Sequence, residues 1–177
     1  MREPRIITEW LVLRPFQADD LADYAALIRD KMASEYAPYD YQWPTDEDAM
    51  GDVIKFVMGE EMWLAVELKA TGRVIGFIHT GRSEGEAERG LGYTILSAYQ
   101  NKGYAYEGCV AQMDYCQKAF GTKRFVCGTA DCNGPSVRLL QKLGFTKIES
   151  IEGCFARDAA DNPIVFPAGK YEKVIAD

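Results

Sequence analysis

The amino-acid sequence predicts an α/β (α+β) fold in which helices cover a mixed β-sheet. Short runs rich in β-branched and aromatic residues alternate along the chain with segments whose apolar residues recur at helical spacing. Two helical segments stop at a glycine, Gly121 and Gly144, and a strand-like run follows each stop. The chain has 177 residues, enough for one substantial core and too few for two ordinary domains, so we expect a single domain over residues 1–177.

The first predicted elements are a strand and a helix. In residues 9–16, EWLVLRPF, apolar and polar residues alternate as in a half-buried strand, and Pro15 marks the end of that strand. Asp19 or Asp20 then opens a helix. The apolar residues on one face of this helix are Leu21, Tyr24, Ala25, Ile28 and Met32.

A second helix and a β-hairpin follow an irregular aromatic segment. Thr45 and Asp48 have the spacing of a capping box, and the apolar residues after them recur at helical spacing as far as Gly59. Residues 62–68 and 73–79 are β-branched or aromatic runs separated by a glycine turn, which is typical of a hairpin. The sequence therefore predicts two antiparallel neighbours in the sheet.

The second half of the chain is predicted to extend the sheet and to add two helices. A strand is predicted at residues 90–96, and a long helix from about 103 to 120. The buried face of this helix is predicted to carry Tyr106, Cys109, Val110, Met113, Cys116 and Phe120. Residues 123–130 are predicted to form a strand, residues 133–144 a short helix, and the remaining tail one or two strands.

The charge and hydropathy of the chain favour a cytoplasmic protein that binds neither nucleic acid nor membrane. The net charge is −7, and no block of lysine and arginine forms a basic stripe that could follow a phosphate backbone. The N-terminal segment, MREPRIITEW, is charged and lacks the apolar core of a signal peptide. No apolar run approaches the roughly 18 residues that would span a bilayer.

The cysteine and histidine content argues against a metal site. The five cysteines are odd in number, and none forms a C-x-x-C pair of the kind that binds zinc. We expect reduced thiols, with Cys109 and Cys116 on the apolar face of the same helix. His79 is the only histidine, which almost excludes a histidine-based metal centre.

A glycine-containing turn leads directly into the long helix and predicts an anion site. In QNKGYA, residues 100–105, the backbone amides near Gly103 would converge on one point at the positive end of the helix dipole. A phosphate suits such a point, and an ordinary strand-to-helix turn is the alternative. The segment lacks the G-K-[ST] of a P-loop and the G-x-G-x-x-G of a dinucleotide fold, so a different phosphate-bearing ligand is indicated.

A second motif lies farther along, in CNGPSVRLLQKLGF, residues 132–145. Asn133 suits the N-cap of a helix, Pro135 its first turn and Gly144 its stop. The order of the two motifs, YTILSAYQNKGYA and then FVCGTADCNGPSVRLLQKLGF, resembles the GNAT superfamily of acyl-CoA-dependent N-acyltransferases. With the opening TEWLVLRPFQADDLADYAAL, the chain is most similar to the branch of RimJ/RimL-like ribosomal-protein N-terminal acetyltransferases, over roughly residues 6–150.

This resemblance implies a fold and a donor substrate. The implied fold is a mixed sheet of about seven strands, splayed in the middle and flanked by about four helices. The implied donor is acetyl-CoA, with its pyrophosphate on the turn amides and its pantetheine arm where two central strands splay apart. No metal is implied. The residues expected to bind the donor are Ile95, Leu96, Gln100, Asn101, Lys102, Gly103, Tyr104, Ala105, Asn133 and Ser136.

The resemblance also implies an acid for the leaving thiolate. Many GNAT enzymes place a tyrosine at the position of Leu140, so this chain lacks that acid. The related branch carries a serine at the position of Ser136. Ser136 is therefore predicted to hydrogen-bond the CoA sulfur or to donate its proton. The alternative is that it only fills the first turn of its helix.

The general base is less well defined by the resemblance. The related branch often has a glutamate at the position of Gly90. Glu88 lies two residues earlier, on the same face of a regular strand, and is the predicted substitute. Glu67 and Tyr93 are the alternatives.

The predicted activity is transfer of an acetyl group to a primary amine by direct attack in a ternary complex. The acceptor could be a protein N-terminus, an amino acid, a polyamine or an amine antibiotic. The aromatic residues of the segment 34–44, which either line the acceptor site or pack a loop onto the core, are Tyr36, Tyr39, Tyr41 and Trp43. A catalytically degenerate CoA-binding sensor or interaction module is the alternative function, and a monomer or homodimer is expected.

Overall fold

The computed structural model describes residues 4–82 and 87–176, and it has the predicted mixed α/β architecture. The strands are β1 (Ile6–Ile7), β2 (Leu11–Pro15), β3 (Trp63–Leu68), β4 (Arg73–Arg82), β5 (Glu88–Ile95), β6 (Arg124–Ala130), β7 (Thr146–Arg157) and β8 (Pro163–Val174). The helices are α1 (Leu21–Met32), α2 (Glu47–Gly59), α3 (Tyr104–Phe120) and α4 (Gly134–Lys142). No helix in these two ranges is both long and apolar enough to cross a bilayer.

The described strands form one sheet in the order β1-β2-β3-β4-β5-β6-β8-β7. All neighbouring strands are antiparallel except β5 and β6, which are parallel. The parallel pairing joins only residues 88–90 to residues 124–126, although β5 continues to Ile95 and β6 to Ala130. The predicted splay in the middle of the sheet is therefore confirmed, with eight described strands instead of about seven.

Helices cover both faces of the sheet and create two apolar cores. On one face, Met113 of α3 and Leu140 of α4 belong to the same buried cluster as Ile78 of β4. On the other face, Ile28 of α1 belongs to a cluster with Phe77, the neighbour of Ile78 along β4. Because successive strand residues point to opposite faces, β4 contributes to both cores. The gap between β5 and β6 thus opens within a sheet that is packed on both sides.

The first predicted strand is more deeply buried than its sequence pattern indicates. β2 has a partner strand on each side, and residues 11–14 are all buried, so the prediction of a half-buried strand is wrong. The polar member, Arg14, is accommodated because its guanidinium pairs with Asp20 and Glu67, and these hydrogen bonds raise its pKa. Ion pairs inside the protein therefore replace the solvent contact that the alternating pattern predicts for Arg14.

Two local predictions about helices are also wrong. The N-cap of α2 is Asp46, not Thr45, and its side chain accepts a first-turn amide at 2.8 Å. On α3, Val110 is 37% exposed, whereas Gln112 is fully buried and donates to the carbonyl oxygen of Ile78 at 3.2 Å. The buried face of α3 is therefore rotated from its predicted position, because a glutamine with backbone partners can occupy the core.

Candidate active site

A cleft of about 1480 Å³ opens where β5 and β6 separate. Residues 91–95 of β5 and 127–130 of β6 form its floor. One wall is built from the turn before α3 and the start of α4, and the opposite wall from the segment 36–43 and from aromatic residues of β3 and β4. A pocket for one drug-sized ligand needs about 300–1,000 Å³, so this cleft has room for two substrates.

The turn before α3 leaves the first amides of the helix without a side-chain cap. Gly103 is the N-cap, with a φ of +88°, and it has no side chain that could accept from those amides. Asn101 also adopts a positive φ, +59°. Gln100 closes the turn by donating from Nε2 to the carbonyl oxygen of Ile95 at 2.9 Å. Residues 100–103 are exposed, so an anion can reach the amides at the start of α3.

Cationic side chains lie around this turn. The Lys102 Nζ is 5.4 Å from the centroid of the Tyr99 ring, and the Lys142 Nζ is 4.5 Å from that of the Tyr106 ring. Arg138 of α4 also lines the cleft. The charges of these side chains add to the positive end of the α3 dipole, which suits an elongated polyanion.

The predicted donor-binding residues lie almost entirely in the cleft. Those that line it are Ile95, Gln100, Asn101, Gly103, Tyr104, Ala105, Asn133 and Ser136. Lys102 lies beside the cleft in the same turn. Leu96 does not line the cleft, because its side chain is buried in the core beneath α1 and α2. Asn133 also caps α4, since its side chain accepts the amide of Ser136 at 3.2 Å.

Two of the predicted catalytic residues meet across the gap in the sheet. Tyr93 of β5 and Ser136 of α4 place their hydroxyl oxygens 2.8 Å apart, and either hydroxyl can donate. Burial raises the pKa of Tyr93 well above its ordinary value, so the phenol keeps its proton at neutral pH. The 2.8 Å contact lets a proton pass between the two hydroxyl groups, whereas a phenol that is protonated at neutral pH does not act as a general base.

The two carboxylates considered as bases lie away from the cleft. Glu88, at the start of β5, forms an ion pair with Arg124 at 2.5 Å, and it does not line the cleft in the described part of the chain. Glu67 forms an ion pair with Arg14 at 2.6 Å. Leu140 is fully buried in the core. The two carboxylates therefore have structural partners outside the cleft, and Leu140 occupies the core cluster against which Tyr93 packs.

The wall opposite the turn is aromatic and contains residues that sequence analysis missed. The predicted Tyr36, Tyr39, Tyr41 and Trp43 all line the cleft. Tyr39 also packs edge-on against Phe166, with the ring centroids 5.4 Å apart. We call the continuous group of rings on this side the aromatic wall; it comprises Tyr41, Trp43, Phe56, Trp63, Phe77 and His79. The i, i+2 spacing of Phe77 and His79 on a strand was the available sequence signal for a shared face.

His79 is an uncharged member of this wall. Its ring centroid lies 4.5 Å from that of Trp63, and its ring stacks parallel to Phe77 with an interplanar angle of 12°. Burial lowers the pKa of His79 to about 4, because the charged imidazolium loses its hydration there. The imidazole is therefore neutral at physiological pH and too weak a base to deprotonate an amine.

The lowered pKa of His79 predicts a loss of stability in mild acid. An unfolded histidine takes up a proton near pH 6.5, whereas folded His79 resists it down to about pH 4, so the unfolding free energy falls as pH falls through this window. The contribution is about 3 kcal/mol in full. Denaturant unfolding at several pH values should show that the difference in stability between wild type and His79→Phe changes by this amount. Parallel stability curves would contradict the assignment.

Two of the cysteines, Cys127 and Cys154, line the cleft. All five are free thiols, with Cys109 and Cys116 buried on α3 and Cys127 on the cleft floor. Burial raises the pKa of Cys127 to about 12, which keeps the thiol protonated and weakly reactive. Within residues 4–82 and 87–176, no group of three or more histidine, cysteine, aspartate or glutamate residues is placed to hold a metal ion.

Comparison with known proteins places this architecture in a family. The chain is 28% identical over 152 residues to the uncharacterized N-acetyltransferase YnaD of Bacillus subtilis, a match that covers 86% of this chain and 88% of the relative. The crystal structure of a GNAT-family acetyltransferase from Bacillus anthracis superposes with a TM-score of 0.80 at 23% identity, covering 97% of this chain and 98% of that one.

A further solved structure, Mycobacterium smegmatis RimJ in complex with CoA-disulfide, superposes with a TM-score of 0.80 at 16% identity, covering 98% of this chain and 88% of that one. The likeness to both solved structures concerns the fold. The model of the acetyltransferase (GNAT) domain matches residues 11–146, which include the turn before α3 and all of α4. The chain therefore belongs to the GNAT family of acetyltransferases.

Proposed function

We propose that the protein transfers an acetyl group from acetyl-CoA to a primary amine, either a protein N-terminus or a small molecule, by direct attack within a ternary complex. This proposal rests mainly on one observation. The uncapped turn before α3 opens into the same cleft as the gap between β5 and β6, and a hydrogen-bonded pair of hydroxyl groups lies at that gap.

The described residues fit an acyl-CoA donor. The amides at the start of α3 and the nearby Lys102, Arg138 and Lys142 suit the pyrophosphate. The splayed edges of β5 and β6 lack a ladder between residues 91–95 and 127–130, so their backbone groups are available to the amides of the pantetheine arm. When bound, acetyl-CoA supplies an activated thioester carbonyl to this gap.

The proposed chemistry needs a proton donor rather than a side-chain nucleophile. The neutral amine attacks the thioester carbonyl carbon, a C–N bond forms, and the C–S bond breaks as the thiolate leaves. Ser136 donates its hydroxyl proton to the sulfur, the protonated Tyr93 replaces it through their 2.8 Å hydrogen bond, and Tyr93 then regains a proton from water. The amine loses its proton to water, because neither His79 nor Tyr93 is a competent base.

This scheme predicts a simple pH profile. The logarithm of kcat/KM should rise with pH with a slope of about one until the pKa of the acceptor amine is reached, because only the neutral amine attacks. Steady-state rates of wild type and His79→Asn should show the same dependence. An inflection that lies at the same pH for amines of different pKa, and that disappears in Glu88→Gln, would instead support the sequence-based prediction of Glu88 as the base.

The test of the proposed function is to incubate the protein with acetyl-CoA and a library of primary amines. We expect CoA release together with a product heavier than one amine by an acetyl group, detected by mass spectrometry. CoA binding without turnover of any amine would contradict the proposal and would support the alternative, a CoA-binding sensor or interaction module.

A further inference from the structure

We propose, resting on the function proposed above, that the acceptor is a primary amine whose nitrogen is carried one or two carbons from an aromatic ring. The chemistry of the cleft changes from one side to the other. The side near α3 is polar and cationic, whereas the side formed by β3, β4 and the segment 36–43 is the aromatic wall. A donor rich in phosphate suits the first side, which leaves the second side for the acceptor.

The aromatic wall is a preorganised surface for a flat apolar group. Trp63 is its centre: its ring centroid lies 5.9 Å from that of Trp43, 5.4 Å from Phe77 and 4.5 Å from His79. Tyr41 extends the wall outward, with its ring centroid 5.0 Å from that of Trp43. Phe77 is buried, and Trp43, Trp63 and His79 are held by their contacts with neighbouring rings, so these side chains lose little freedom when a further ring stacks on the wall.

The aromatic wall also lies next to the proposed reacting atoms. His79 and Phe77 are the strand partners of Gly92 and Thr94, the two residues that flank Tyr93 on β5. Side chains of flanking residues point to the opposite face from Tyr93. An acceptor stacked on the wall therefore approaches the gap from the face opposite the Tyr93–Ser136 pair, so the amine and the proton donor can reach the thioester from different sides.

The charges near the wall suit one ammonium group rather than several. His79 is neutral and so does not repel a cation. The Asp40 carboxylate lines the cleft together with Cys127 of its floor. Asp40 also forms an ion pair with Lys31, which reduces the negative potential that its carboxylate adds to the cleft. Four carboxylates, those of Asp30, Glu35, Asp40 and Glu152, line the cleft, but none belongs to the aromatic wall. A polyamine or aminoglycoside stacked on the wall would therefore bring further cations against uncharged rings.

The test compares 2-phenylethylamine, tryptamine, n-butylamine and spermidine as acceptors. We expect the arylalkylamines to have a kcat/KM about 10–100-fold higher than that of the other two amines. Trp43→Ala should remove most of this advantage, so that the ratio of kcat/KM between 2-phenylethylamine and n-butylamine falls toward one. The matched control is Tyr115→Ala, because Tyr115 packs edge-on against Phe120 and does not line the cleft. Tyr41→Ala, at a side chain that is 57% exposed, replaces Trp43→Ala if that variant fails to fold.

Calorimetric titration of 2-phenylethylamine into CoA-saturated protein separates the two proposals. Binding that depends on Trp43 without any turnover would overturn the proposed function and would leave the aromatic specificity intact. Turnover in which spermidine or n-butylamine equals 2-phenylethylamine, or in which Trp43→Ala affects all amines alike, would overturn the aromatic specificity and leave the acetyltransferase function intact.

Discussion

Replacing Gly103 with valine is expected to weaken CoA binding by on the order of 10²-fold while leaving the rest of the fold in place. Gly103 adopts a φ of +88°, a conformation that a β-branched residue strongly disfavours. A Cβ at this position meets no atom within 4 Å, so the substitution causes strain but no clash. The turn can relieve that strain by rotating its peptide planes, which turns the amides at the start of α3 away from the anion. Calorimetric titration of CoA measures the effect.

The matched control is Gly121→Val at the other end of the same helix. Gly121 has a φ of +65° and equally open surroundings, so its substitution costs similar backbone strain far from the turn. We expect both variants to lose a similar amount of thermal stability, and only Gly103→Val to lose CoA affinity. Unchanged affinity in Gly103→Val, or an equal loss in Gly121→Val, would show that the turn is only a connector between strand and helix.

Removing the hydroxyl group of Ser136 is expected to lower kcat by something like 10²-fold, the low end of what one positioned proton donor contributes. Because Ser136 and Tyr93 are hydrogen-bonded, we expect a similar loss of kcat for Tyr93→Phe, a substitution that keeps the packing of the ring. Because the two hydroxyl groups act as one unit, the double variant should be little slower than either single variant. The CoA dissociation constant should change by no more than about threefold, since phosphate contacts dominate donor binding.

The control for this series is Tyr171→Phe. Tyr171 is a buried tyrosine of the same core that does not line the cleft, so loss of its hydroxyl group should leave kcat unchanged. A near-normal kcat in Ser136→Ala would reduce Ser136 to a residue of the first helical turn and leave water as the acid. A parallel loss of CoA affinity would instead identify Ser136 as a donor-binding residue.

The sequence was informative wherever a short motif determines its own geometry. The turn at residues 100–105 needs a residue that tolerates positive φ, and Gly103 adopts that conformation. The N-cap role of Asn133 and the helix stops at Gly121 and Gly144 are also local properties. The splay between β5 and β6 followed from family resemblance, because no property of either strand alone predicts where pairing stops.

The sequence was least informative where distant segments meet. Glu88 shares a strand with Tyr93, but its ion pair with Arg124 of β6 could not be inferred from β5. The contact of Tyr93 with Ser136 joins a strand to a helix that follows the next strand. The aromatic wall combines side chains from α2, the hairpin and an irregular segment. Its existence depends on tertiary packing rather than on any one sequence motif.

The most direct test of this account is thermal unfolding of the wild-type protein with and without CoA. A ligand that binds only the folded state at about 100 times its dissociation constant adds roughly 2.7 kcal/mol to the free energy of unfolding. We therefore predict a clear rise in Tm with saturating CoA, and a much smaller rise for Gly103→Val than for Gly121→Val. An unchanged Tm in wild type, together with no heat of binding in calorimetry, would contradict the assignment of this cleft as an acyl-CoA site.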